Sequence, residues 1–133
     1  MAKTRKWDRS EKGLASYRRY HWKNRERRLK YSHEWREENK RRIFDFYSNG
    51  TMKCALCGFP DYRALCLDHI DNNGAEHRKS LSNGNRENTS SDTIYLSLIK
   101  SNFPSGFQIL CHNCNIIKEY EYRLKKRLSY AKG

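Results

Sequence analysis

Phe107-Gln108-Ile109-Leu110-Cys111-His112-Asn113-Cys114-Asn115 decides how this chain folds. The apolar stretch from Phe107 to Leu110 reads as a short strand that runs straight into a Cys-x2-Cys pair. Residues 114 to 130 then read as a basic helix with Ile117, Tyr120 and Leu124 on one side. A second pair, Cys54-Ala55-Leu56-Cys57, lies upstream, and Gly58 behind it lets the backbone turn tightly. Two such pairs suit one tetrahedral Zn2+. Four thiolates would close its shell and leave no position for water, so this ion is expected to be structural. The 53 residues between the pairs must form a small motif of their own.

That intervening segment has its own punctuation. After a turn at Pro60-Asp61, residues 63 to 70 read as a strand that ends at Asp68-His69. Cys66, between two leucines, is expected to be a small core hydrophobe rather than a fifth ligand. Residues 71 to 91 are rich in Asn, Ser and Gly and read as a long polar loop. Residues 92 to 102 predict a short helix, capped by Asp92, with Ile94, Tyr95, Leu98 and Ile99 on one face. Pro104-Ser105-Gly106 turns the chain into the second strand.

Upstream of the first pair the character changes. Residues 8 to 47 contain no proline and one glycine, and their Arg, Lys and Glu content predicts one or two long helices. A weak repeat at an offset of 15 sets Tyr20, Asn24, Leu29 and Tyr31 against Trp35, Asn39, Phe44 and Phe46. Ser48-Asn49-Gly50 ends the stretch, with Gly50 as a C-terminal cap. We therefore divide the chain into a basic helical arm, 1 to 47, and a domain, 48 to 133.

The 133 residues carry a net charge of +13, unevenly placed. Residues 1 to 42 hold 16 basic and 6 acidic side chains, residues 43 to 109 hold 6 and 7, and residues 110 to 133 hold 6 and 2. Basic ends around a near-neutral middle point to a polyanionic partner, nucleic acid before an acidic membrane surface. Arg18, Arg19, Arg25 and Arg28 are the candidate phosphate contacts of the arm. Only 36% of residues are hydrophobic, so the core is small and needs a staple. There is no apolar run long enough for a transmembrane helix, and the basic N-terminus lacks the apolar region of a secretory signal. The expected location is the cytoplasm or another DNA-containing compartment.

The chemistry gathers at three residues. Asp68-His69 closes the first strand, and Asn115 opens the last helix directly behind a zinc ligand. The zinc would bring strand end and helix start together. Phosphodiester hydrolysis needs a base for water, a Lewis acid on the phosphate, and stabilisation of the leaving 3′ oxygen. An imidazole suits the first task. A carboxylate and an amide oxygen are hard ligands for Mg2+ or Mn2+.

These residues carry a resemblance. Cys54-x2-Cys57, Leu67-Asp68-His69-Ile70-Asp71 and the quoted stretch from Phe107 to Asn115 resemble an HNH endonuclease in its four-cysteine zinc form. The likeness spans residues 54 to 118, about half the chain. It implies a small α+β fold with a zinc-stapled ββα-metal motif, to which the long basic helical N-terminal extension read from composition is added. It implies a metal-dependent DNA endonuclease, phage or homing type, or a small restriction enzyme, working in a bacterial host cell if phage-encoded. In that family the His after Asp is the general base, which maps to His69. Asp68 and Asn115 map to the ligands of the catalytic Mg2+ or Mn2+; the third family position, often His, is Asn here. The middle family Asn, which orients the base, would fall at Gly106, so its role passes to another residue or is lost; Asn83, Asn85 and Asn102 are the candidates.

His77 and Arg78 are candidates for the scissile or an adjacent phosphate, or parts of an exposed loop. Lys118 is a candidate phosphate contact, or a cover for its helix. His112 is a phosphate contact or a surface filler. The expected partner is double-stranded DNA, with no membrane, and the protein is expected to be a monomer or homodimer. Two alternatives stand: a non-catalytic zinc module derived from the same fold that only binds nucleic acid, and a structural nucleic-acid-associated protein.

Overall fold

The computed structural model describes residues 9–82 and 89–132. Two compact units emerge, one up to Glu37 and one from Glu38 onward. The elements, in chain order, are α1 (Glu11–Lys23), α2 (Arg25–Tyr47), β1 (Leu65–His69), α3 (Gly74–Leu81), α4 (Ser91–Lys100), β2 (Phe107–Cys111) and α5 (His112–Tyr130). This is a small α+β structure with five helices and one two-stranded antiparallel sheet among the described residues.

Of the one or two helices expected before the first cysteine pair, two form, α1 and α2. Ser10 caps α1 by accepting the Gly13 N–H at 3.1 Å. Asn24 ends it, with its own N–H on the Tyr20 carbonyl and Arg28 N–H on the Asn24 carbonyl. Gly50, at φ 76°, terminates α2 as expected, its N–H on the Asp45 carbonyl. The expected boundary at 47/48 differs from what packing decides. Ile43 and Phe44 on α2 are 0% exposed and belong to the core of the second unit. The sequence repeat is not matched by burial throughout: Tyr31 and Phe46 are both exposed, but Leu29 is exposed where its counterpart Phe44 is buried.

The core of the second unit is small. Ile43, Phe44, Leu65, Ile94, Leu98, Ile109 and Leu110 are buried in it together with Cys54 and Cys111. Phe44 meets Tyr62 at a ring separation of 5.5 Å and Tyr95 at 6.5 Å. Lys40 and Arg41 lay their charges over the Tyr62 ring, 4.4 and 4.6 Å from its centroid. A core of so few buried side chains is one that a cross-link would help to hold.

In the sheet, Leu65 faces Cys111, Asp68 faces Gln108 and His69 faces Phe107. Two expectations change. The stretch read as a loop contains α3, because Ala75, Glu76, Arg78, Lys79 and Leu81 are good helix formers once the Asn72-Asn73 turn is passed. The N-cap of α4 is Ser90, whose hydroxyl accepts the Thr93 N–H at 3.3 Å; Asp92 lies in the first turn, where its charge still favours the helix N-terminus. Among the described residues no helix is long and apolar enough to cross a membrane.

Candidate metal centre and catalytic cleft

Cys54, Cys57, Cys111 and Cys114 converge, with their four sulfurs all within 4.8 Å of one another. Tetrahedral thiolate coordination of Zn2+ sets sulfurs ~3.8 Å apart, so this cluster can hold such an ion. Local backbone geometry builds it. Gly58 takes φ 75° and returns its N–H to the Cys54 carbonyl, while the Cys54 N–H reaches the Phe59 carbonyl. The Ala55 N–H docks this turn on the Ile109 carbonyl of β2 at 2.8 Å. Cys111 ends β2 and also caps α5, its sulfur accepting the Cys114 N–H at 3.4 Å.

The electrostatics ask for a cation. Burial opposes ionisation of Cys54, but backbone N–H groups outweigh it and bring the thiol down to about 6. Cys114 is pushed up to about 12, first by its hydrogen bond to Cys111 and then by that to Cys57. Without a cation, one thiolate makes further ionisation nearby costly. Cys66 stays outside the cluster. Its thiol donates to the Leu110 carbonyl at 3.4 Å, and burial pushes it up to about 11.

The end of β1 opens into a cleft of about 540 Å³ lined by Asp68, His69, Asn72, Asn73, Gly74, Arg78 and Asn115, among others. Asp68, His69 and Asn115 thus come together. Asn115 reaches the cleft because Cys114, one residue before it, belongs to the thiol cluster. The same face of α5 adds Glu119, Tyr122, Arg123 and Lys126. The helical spacing from Asn115 carries that signal in the sequence.

Asp68 is buried and its Oδ2 accepts two bonds, from Gln108 Nε2 at 2.8 Å and Lys118 Nζ at 2.6 Å. Lys118 also donates to the His69 carbonyl at 2.7 Å. It therefore reaches inward, its side chain 19% exposed, instead of standing at the surface for a phosphate. Gln108 is a partner that sequence reading missed; only the strand register, which sets it opposite Asp68, reveals it. A carboxylate and an amide oxygen in one cleft fit a hard divalent cation in donor type. At Oδ2 such an ion meets competition from the Lys118 ammonium.

His69 Nε2 lies 3.0 Å from His77 Nδ1, so His77 reaches the candidate base. Phe107 packs on both rings, with centroids 4.8 Å from His69 and 5.6 Å from His77. Burial, then the charges of His77 and Arg78, hold the His69 pKa below its ordinary value; burial and Arg78 do the same for His77. Both rings are thereby biased toward the neutral form, which a general base requires. At Gly106, φ is 105° and the carbonyl accepts the Ile70 N–H at 3.0 Å. Asn102 sits in a turn behind α4 with its N–H on the Ile99 carbonyl. Asn83 and Asn85 lie outside the described residues. His112 is exposed in the first turn of α5.

In the N-terminal unit, Arg18, Arg19, Arg25 and Arg28 line one open groove of about 710 Å³ together with Tyr17, His21, Trp22 and Lys23. Trp22 is 77% exposed, and the Arg25 guanidinium lies 5.7 Å from its ring centroid. Arg28 also contacts the His21 ring.

Comparison of the chain with protein-family models, with curated proteins and with solved structures returned no match.

Proposed function

We propose that the chain is a metal-dependent endonuclease of the HNH type that hydrolyses phosphodiester bonds of double-stranded DNA. In this reading β1, β2 and α5 form a ββα-metal arrangement, and the four thiols hold a structural Zn2+. One observation carries it: the imidazole of His69 and the carboxylate of Asp68 share a cleft with Asn115 and with the cationic Arg78, Arg123 and Lys126. A carboxylate, an amide, a neutral base and several cations in one cleft suit a phosphodiester.

Asp68 and Asn115 would hold Mg2+ or Mn2+, which supplies Lewis acidity at the phosphate. His69 takes a proton from water as the water oxygen bonds to phosphorus and the bond to the 3′ oxygen breaks. Arg78, Arg123 and Lys126 bind phosphate oxygens, and the arginine groove of the N-terminal unit grips further phosphates along the duplex.

A second reading, a non-catalytic zinc module that only binds nucleic acid, has one observation on its side. The Lys118 ammonium already neutralises Asp68. Supercoiled plasmid with Mg2+ or Mn2+ separates the two. The nuclease reading expects nicking by the wild type, and loss of nicking with retained binding in His69→Ala. No nicking, or equal nicking by both proteins, favours the binding module. In either case, neutralising Arg18, Arg19, Arg25 and Arg28 should flatten the salt dependence of DNA binding, the logarithmic slope falling by about 0.9 for each phosphate no longer neutralised.

A further inference from the structure

We infer that His77 is the positioning residue for His69: it accepts the His69 Nε2–H, selects that tautomer, and leaves Nδ1 as the basic nitrogen. The inference deepens the nuclease reading above and rests on it for its catalytic meaning. Its geometric content stands independently of catalysis.

The two rings meet through one nitrogen each, His69 Nε2 and His77 Nδ1, at 3.0 Å. Between two neutral imidazoles one nitrogen must donate and the other accept. If His77 donated, His69 would carry its proton on Nδ1 and spend its only lone pair on His77. No base would remain. If His69 donates, its Nδ1 lone pair is free.

The surroundings of Nδ1 are compatible with the second arrangement. A Cβ placed on Gly74 would stand 3.0 Å from His69 Nδ1 and 3.3 Å from Cε1. With glycine at this position no side-chain carbon of residue 74 stands against that nitrogen. Gly74 lines the cleft that holds Asp68 and Asn115, whereas His77 lines the neighbouring one. The His69 ring thus spans two clefts, held from one side and open on the other. Phe107, the cross-strand partner of His69, packs on both rings and limits their rotation.

His77 stands on the first turns of α3, its N–H on the Asn73 carbonyl. A helix immediately after the strand can return a side chain to the strand's last residue. An asparagine here would offer Oδ1 close to the place of Nδ1, so it should accept the same hydrogen bond.

The test uses the full-length, zinc-loaded protein. Two-bond 15N–1H correlation of labelled histidines reads the His69 tautomer without reference to activity. The expected result is the Nε2–H form in the wild type and in His77→Asn, and a mixture in His77→Ala. Nicking kinetics should show a kcat lowered about 10–100-fold in His77→Ala with KM little changed, and substantial recovery in His77→Asn. An Nδ1–H tautomer in the wild type overturns the inference. So does a His77→Ala protein with wild-type kcat, or a His77→Asn protein as slow as His77→Ala. A wild type that cuts no DNA but shows the Nε2–H form, giving way to a mixture in His77→Ala, sinks the nuclease reading and keeps the pairing.

Discussion

Lys118 Nζ stands 2.6 Å from Asp68 Oδ2 and 2.7 Å from the His69 carbonyl oxygen, so one ammonium from α5 ties down both members of the Asp-His pair. With side-chain exposures of 19% and 9%, the ion pair is shielded from solvent. Removing the cation strands a buried carboxylate whose other hydrogen bond comes from Gln108. Lys118→Met should therefore destabilise the second unit by about 3 kcal/mol in urea unfolding. Adding Asp68→Asn should recover part of the loss, giving a coupling energy of about 1–3 kcal/mol. Strictly additive single and double variants would show that the pair contributes nothing.

Gly74 offers a separation of stability from activity. Its neighbour at 3.0 Å is the His69 ring. Alanine suits a helix better than glycine by as much as about 1 kcal/mol. Gly74→Ala gains helix propensity but crowds a ring that Phe107 and His77 hold, so its stability should change by no more than about 1 kcal/mol, while the methyl at Nδ1 slows nicking about tenfold or more. A variant that cuts at the wild-type rate would mean that Nδ1 is not where water is activated.

Acid should weaken the fold through the histidine pair. The pKa values of His69 and His77 lie below the ordinary value of 6.5. On acidification the unfolded chain binds protons first. Stability is therefore complete above about pH 6.5 and falls as pH drops through the lower folded values. Around His69, the charges of His77, Arg78 and Lys118 oppose its protonation and Asp68 favours it. The urea midpoint should fall between neutral pH and pH 5, and fall less in His77→Asn, which has one ionisable ring fewer. Parallel pH profiles for the two proteins would contradict this account.

Metal removal should unfold the second unit. A structural zinc supplies on the order of 10 kcal/mol, comparable with the whole stability of a domain. A strong chelator should abolish the strand signal and much of the helical signal in circular dichroism, with recovery on adding Zn2+. Cys57→Ser should reproduce the loss without chelator, because its sulfur stands 3.6 Å from Cys111 Sγ. An unchanged spectrum after chelation would show that the core holds by itself.

Local chemistry was legible from the residues. The two Cys-x2-Cys turns, the helix end at Gly50, the strands on either side of the cluster and the basic last helix follow from patterns a few residues long. Asp68-His69 at a strand end is equally local. The stretch after it was harder. Its flanking Asn, Ser and Gly outweighed the helix formers of α3, so the element that carries His77 was not foreseen.

By itself, then, the sequence determined the basic ends, the four thiols and the short strand that delivers Asp68 and His69. Tertiary structure alone decided three relationships. The strand register set Gln108 against Asp68, the docking of α5 turned Lys118 inward onto the same carboxylate, and α3 brought His77 to His69. Packing also drew the end of α2 into the second unit through Ile43 and Phe44. The reason is common to all of them. A side chain's partner, when it lies on another element, is selected by register and packing, and neither is written in the residues next to it.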